Sequence, residues 1–242
     1  MRVGLFVTCL VDLMRPRIGF AALKLLRAAG ADVVVPRAQT CCGQPGYNAG
    51  DNAGARNLAL KLAREFADCD YVVTPSGSCA GMIRVHYPAL FRDDAHAGDI
   101  GRLAEKTCEL TDFLARVARL ERVPGDFTGT LAYHDSCSGL RELGVKTQPR
   151  ALLARMPGVR LIEMAESETC CGFGGTFSVK FGDIATRMAD NKCQNIKASG
   201  ADAVAAGDLG CLLHIEGRLR RLGDTQTRVL HVAEVLAGAT EN

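Results

Sequence analysis

The sequence has no apolar run near the ~20 residues needed to cross a bilayer, so no membrane-spanning helix is expected. It has little excess charge. Lys and Arg together number 29 against 27 Asp and Glu, and the formal net charge of +2 argues against a nucleic acid or an anionic membrane surface as partner. No signal peptide is expected at its start. The short apolar stretch in MRVGLFVTCL runs straight into VDLMRP, which reads as a first β-strand, so a cytoplasmic protein is expected. Neither a G-x-G-x-x-G dinucleotide fingerprint nor a flavin motif is present, and the C-x₂-C knuckle common in zinc sites is missing. Cysteine is not scarce: there are eleven in 242 residues. In a reducing compartment such a number points to metal binding or redox chemistry more than to disulfides.

The cysteines belong to a sequence written twice. GLFVTC (4–9) matches LAYHDSC (131–137), ADVVVPRAQTCCG (31–43) matches VRLIEMAESETCCG (159–172), CDYVVTPSGSC (69–79) matches GADAVAAGDLGC (200–211), and KTCELTDFLARV (106–117) matches TRVLHVAEVLAG (227–238). The gaps barely drift: 31 residues separate Cys9 from Cys41 and 32 separate Cys137 from Cys170. The seam falls near Pro124-Gly125, so two domains are expected, 1–124 and 125–242. Short apolar runs (VGLFV, DVVV, YVV; LAY, VRLI, AVAA) read as buried strands, and FAALKLLRAAG, NLALKLAREFA and IATRMADNKCQNIKASG have helical periodicity. Strands alternating with helices predict an α/β fold: two similar lobes related by pseudo-two-fold symmetry, each a mostly parallel sheet flanked by helices.

In that arrangement Cys9, the pair Cys41-Cys42 and Cys79 each follow a strand, as do Cys137, the pair Cys170-Cys171 and Cys211. Sites in open parallel sheets form beyond the carboxyl ends of the strands. Four thiols are therefore expected in one pocket of each half. Adjacent cysteines do not readily chelate one ion, because their side chains diverge, but they can bind two metal atoms a few ångströms apart, which favours an iron–sulfur cluster. Zinc and metal-free thiol chemistry remain as alternatives. GFGGTF (172–177) adds a glycine-rich turn whose N–H groups could cradle an anionic cluster. GSCAG (77–81) fits a nucleophile elbow with His86 or His134 as base, but the second copy, DLGC, lacks it, and the repeat explains Cys79 more economically. Cys69, Cys108 and Cys193 have no repeat partners and read as core residues. His134 and Asp135 precede Cys137 and are candidates to orient it or relay protons. Arg141, Lys180 and Arg187 are weighed as carboxylate contacts but read better as solvated surface.

These residues resemble the cysteine-rich CCG-domain family, whose signature C-x₃₁₋₃₉-C-C-x₃₅₋₃₆-C-x-x-C usually occurs twice. That family includes the B subunit of heterodisulfide reductase and iron–sulfur subunits of glycolate and glycerol-3-phosphate oxidation. HDSCSGLRELG, CCGFGGTFSVK and AGDLGCLLH are most similar to its lactate-utilisation branch. The resemblance implies an electron-transfer subunit that is inactive alone. It would work with two further lactate-utilisation subunits, one a ferredoxin-like iron–sulfur protein, in oxidising L-lactate to pyruvate. It also implies one or two clusters per chain, of the 4Fe-4S kind, with zinc possible in one lobe; a catalytic disulfide reductase and a zinc-stabilised interaction module are the other readings. The chain departs from the signature at its final cysteine, where Met82 and His214 stand. Met82 reads as core packing, and His214 as a candidate nitrogen ligand.

Overall fold

The computed structural model describes residues 1–240; residues 241 and 242, the end of the second expected lobe, lie outside the described residues. Two four-stranded sheets carry the fold, and every strand pair is parallel. The first has β1 (Arg2–Leu5), β2 (Asp32–Val34), β3 (Tyr71–Thr74) and β4 (Thr107–Glu109) in the order β2-β1-β3-β4. The second has β5 (Gly129–Tyr133), β6 (Val159–Ile162), β7 (Ala203–Ala206) and β8 (Arg228–His231) in the order β6-β5-β7-β8. The register repeats as well: Val3 lies between Val33 and Tyr71, and Leu131 between Leu161 and Ala203. Helices cover both faces, so β3 and β7 are continuous apolar runs without inside–outside alternation. Each chain order reverses between its first and third strands, and the cysteine loops leave the sheet at that switch point.

β4 and β8 complete sheets for which the sequence suggested three strands each. TCE is too short and too polar to announce a strand. It is held by pairing with β3, and burial pushes the Cys108 thiol up to about 11. No helix among the described residues is long and apolar enough to cross a membrane.

The lobes pack through pseudo-equivalent contacts. The helix Arg17–Ala28 lies on the helix Val232–Ala237, and the helix Thr147–Leu153 lies on the short helix Leu110–Asp112 and the turn that continues it. Polar contacts cross with them: Lys24 Nζ donates to Ala237 O at 2.7 Å, Arg15 pairs with Glu216 at 2.6 Å, and Gln148 Nε2 donates to Asp112 Oδ1 at 2.8 Å. One hydrophobic core runs through both lobes, from Val3, Leu25 and Leu26 to Leu131, Val204 and Leu236. A second core, with Phe6, Leu62, Phe66 and Met82, lies under the first lobe's thiols. Met82 is wholly buried there, as packing predicts.

Glu109 and His231 occupy equivalent buried N-caps, each at the carboxyl end of its lobe's last strand. Burial pushes the Glu109 carboxyl up to about 7, although Thr111 and the Asp112 N–H donate to it. In the unfolded chain the same carboxyl ionises near its ordinary 4.5. The folded state therefore binds its proton more tightly: this stabilisation is complete below 4.5 and is lost as pH rises through about 7. Glu109→Gln keeps the acceptor and removes the titration. Denaturation of wild type and variant across this range is expected to show a stability difference that changes by up to about 3 kcal/mol; a parallel pair of pH curves would refute the assignment.

Candidate metal centres

Four of the thiols are placed by helix starts, and the two vicinal pairs lie in the loops that follow β2 and β6. Cys9 opens the helix Cys9–Met14, and Cys137 opens the helix Cys137–Leu143. Cys79 lies in the first turn of the helix Gly77–Gly81, where the Ser76 hydroxyl accepts from its N–H at 3.2 Å. Cys211 lies in the first turn of the helix Leu209–Arg221, where Asp208 accepts from Gly210 N at 3.1 Å. Buried Thr8 reaches Cys9 with φ of 76°, on the left-handed side that a branched residue adopts only under local strain.

The vicinal pairs divide their contacts as two-metal binding requires. Cys41 Sγ lies 3.6 Å from Cys9 Sγ, and Cys42 Sγ lies 3.2 Å from Cys79 Sγ. In the second lobe Cys170 addresses Cys137 and Cys171 addresses Cys211. All eleven cysteines are free thiols. Backbone donors point at the sulfurs: Gly43 N to Cys41 at 3.3 Å, Gly172 N to Cys170 at 3.4 Å and Phe173 N to Cys171 at 3.5 Å. Gly172, Gly174 and Gly175 all have positive φ, which lets the second turn curl its N–H groups inward.

Four thiols this close cannot all be anions without a cation. The Cys41 thiolate, hydrogen-bonded by Cys42, Cys9 and the Gly43 N–H, is held down at about 2. Cys170, with Cys137, Cys171 and the Gly172 N–H, is likewise held at about 2. Their partners Cys9, Cys42, Cys137 and Cys171 are pushed up, because they supply the protons to those hydrogen bonds and are buried. Metal replaces such shared protons and is bound with their release. Soft thiolates, inward N–H groups and converging sulfurs fit an iron–sulfur cluster in each lobe.

The sequence suggested one pocket per half, but the structure opens both thiol sets onto one cavity of about 610 Å³. The carboxyl edges of the two sheets face each other across a short seam. Gly77 N donates to Gly207 O at 3.2 Å, and Asp208 Oδ2 accepts from Ser76 Oγ at 3.1 Å and Ser78 N at 2.9 Å. A Cβ on Gly77 would lie 2.9 Å from the Gly139 Cα, so glycine is needed for this approach. The cavity lining includes Gln44, His86, Ser138, Glu142 and the glycine turn, and among the described residues it contains no lysine or arginine.

The chain belongs to the CCG cysteine-rich domain family. Its model matches residues 3–84 and 131–216, the stretches that contain all eight of these thiols. Among CCG proteins, the chain is similar to Lactate utilization protein A of Geobacillus kaustophilus, at 48% identity over 237 residues and 98% of each chain. It is also similar to Lactate utilization protein A of Bacillus subtilis, at 44% identity over 237 residues, covering 98% of this chain and 99% of the relative. Among solved structures, a putative Asp/Glu racemase from Yersinia pestis aligns over 99% of this chain and 96% of its own, with 14% identity and a TM-score of 0.39.

Not every candidate of this CCG chain reaches the cavity. His214 faces a separate cavity with Phe173, Thr186 and Gly217, and its Nε2 lies 3.4 Å from Ala185 O. Arg141, Lys180 and Arg187 do not line the thiol cavity. His86 does, at its rim, with Nε2 3.5 Å from Glu142. Cys69 and Cys193 are buried in the cores. Behind the second thiol set lies a polar group of which the sequence singled out His134 and Asp135 but not Arg150 or Lys192. His134 is wholly buried, and burial holds its imidazole down at about 3. Asp135 is bidentate with Arg150 at 2.7 and 2.9 Å, and Lys192 is buried on the helix Gly182–Ser199. The available signal was the repeat alignment, in which His134 falls opposite Phe6.

Proposed function

We propose that this chain is the iron–sulfur electron-transfer subunit of a system that oxidises L-lactate, or a related 2-hydroxy acid, to pyruvate. One observation carries the reading. Two sets of four thiols, one in each lobe (1–124 and 125–242), converge on a single cavity in a chain whose relatives are named for lactate utilisation. Cys9, Cys41, Cys42 and Cys79 hold one group, and Cys137, Cys170, Cys171 and Cys211 hold the other. A bound cluster supplies one-electron redox chemistry. The protein's own contribution is thiolate ligation, N–H donors at the sulfurs and a mostly apolar surround that sets the potential. Among the described residues the cavity wall carries Glu142 and Asp208 but no lysine or arginine to receive a carboxylate, which supports oxidation of the 2-hydroxy acid on a partner subunit. Two partners are implied, one of them ferredoxin-like, and the complex works in the cytoplasm.

The test is anaerobic purification followed by iron and sulfide analysis and EPR. Brown protein with EPR-active iron and acid-labile sulfide is expected. Dye reduction by lactate is expected only when the partner subunits are added. Colourless protein with stoichiometric zinc would refute the electron-transfer role, and steady lactate oxidation by this chain alone would refute the division of labour. The open cavity between the thiol sets favours one other reading, reduction of a small disulfide; turnover of such a disulfide without partners would select it.

A further inference from the structure

The two thiol sets look equivalent in sequence, but what stands behind them is not. Three residues before Cys9 is Phe6, wholly buried and edge-on to Phe66 at 6.1 Å. Three residues before Cys137 is His134, also wholly buried. The helix behind the first set buries Ala55, Ala59 and Leu62, and its counterpart buries Ala185, Ala189 and Lys192. An apolar pair in one lobe is thus replaced by an imidazole and an amine in the other. A polar group this deep is kept only where its hydrogen-bonding atoms find partners.

Most of these atoms do find partners. Lys192 Nζ donates to the carbonyls of Glu166 and Ser167. His134 Nδ1 lies 3.2 Å from Ser167 O. A carbonyl oxygen only accepts, so Nδ1 carries the proton, and in the neutral ring Nε2 is left with a bare lone pair. That atom is buried and has no hydrogen-bond partner. A ring nitrogen of His134 and the sulfurs of Cys171 and Cys211 all lie within 4.8 Å of one another, and with Nδ1 taken by the Ser167 carbonyl, Nε2 is the nitrogen left to serve as that donor. A carbonyl holding one ring nitrogen while the other points its lone pair at thiolates is how proteins prepare a histidine for metal.

We infer that His134 Nε2 is a ligand of the metal held by Cys171 and Cys211, so that the second site is a mixed thiolate–imidazole site and the first, backed by Phe6, is all-thiolate. The inference rests on the reading that the second lobe holds metal. It assigns the nitrogen donor to His134 and not to His214, which faces the other cavity. The imidazole is neutral, so it adds a donor to the four thiolates without adding negative charge, whereas a thiolate at the same position would add one and lower the potential.

The test uses the full chain carrying Cys42→Ser, which weakens the first site so that the second dominates the signal. The protein is loaded anaerobically with iron and sulfide and reduced. Pulsed EPR is expected to show a nitrogen directly coupled to the cluster, replaced by the ¹⁵N pattern when histidine is ¹⁵N-labelled. His134→Cys is expected to keep the iron, lose that coupling and shift to a lower potential. His134→Phe, which copies the first lobe, is expected to lose the coupling and to shed iron in air as readily as the first site of the unaltered chain, and His214→Ala to leave the coupling unchanged. If only zinc is taken up, X-ray absorption of the same proteins is expected to show one nitrogen among the sulfurs, lost in His134→Cys. A cluster without a coupled nitrogen, or a coupling that survives in His134→Cys, would overturn the assignment while leaving the cluster reading intact. Protein that takes up no metal under any condition would overturn both.

Discussion

Cys171→Ser, loaded anaerobically, is expected to retain about half the iron of the unaltered chain, and less than Cys42→Ser retains; half is the consequence of losing one of two proposed sites, and the inequality follows from ligand support. Cys171 is buried at the centre of its set, in contact with Cys170 and Cys211 and within reach of His134. Two backbone N–H groups serve the vicinal pair in this turn, from Gly172 and Phe173, while the equivalent turn of the first lobe supplies one, from Gly43, and that lobe's other donor, Leu10, serves Cys9. The second site should therefore be the firmer, and the first should lose iron sooner in air. Serine keeps the shape of cysteine but replaces a soft thiolate with a weakly acidic hydroxyl, so the loss reports ligation more than packing. The measurement is iron per chain before and after timed exposure to air. Equal retention, or the reverse order, would show that N–H donors and the imidazole do not set affinity here.

Asp208→Ala is expected to lower stability by about 3 kcal/mol, because it removes a helix N-cap and leaves buried donors without an acceptor. Asp208 is almost wholly buried. It caps the helix that carries Cys211 through Gly210 N, and it crosses to the first lobe to accept from Ser76 Oγ and Ser78 N. Its pseudo-equivalent is Ser76, so the two caps bond directly to each other across the seam. Asp208→Asn, which retains one acceptor oxygen but turns an amide N–H toward the donors, is expected to fall between alanine and wild type. Chemical denaturation of the metal-free proteins separates this effect from ligation. Stability unchanged in Asp208→Ala would mean that the seam is held by the shared apolar core alone.

The sequence alone was enough to establish the doubled α/β pattern, because strands buried on both faces are continuous apolar runs and the cysteine loops recur at nearly constant spacing. It also indicated which eight thiols follow strands, and that vicinal cysteines address different partners, as Cys41 and Cys42 do. Spacing along the chain carries those facts. It does not carry the distance between two loops from different halves, so the merging of two expected pockets into one cavity became visible only once Gly77 met Gly207 and Ser76 met Asp208. The histidines show the same division. His214, one turn beyond Cys211, has the better spacing for a ligand, yet the packing of its helix against Gly182–Ser199 turns it toward Ala185 O. His134 precedes its cysteine on the way out of β5. Whether its ring faces the thiols or turns away depended on which carbonyl held Nδ1, and that carbonyl, Ser167, arrives from a loop 33 residues away. Local periodicity assigns a residue to an element and a face, but the direction in which a buried donor points is decided by partners that only the tertiary fold brings together.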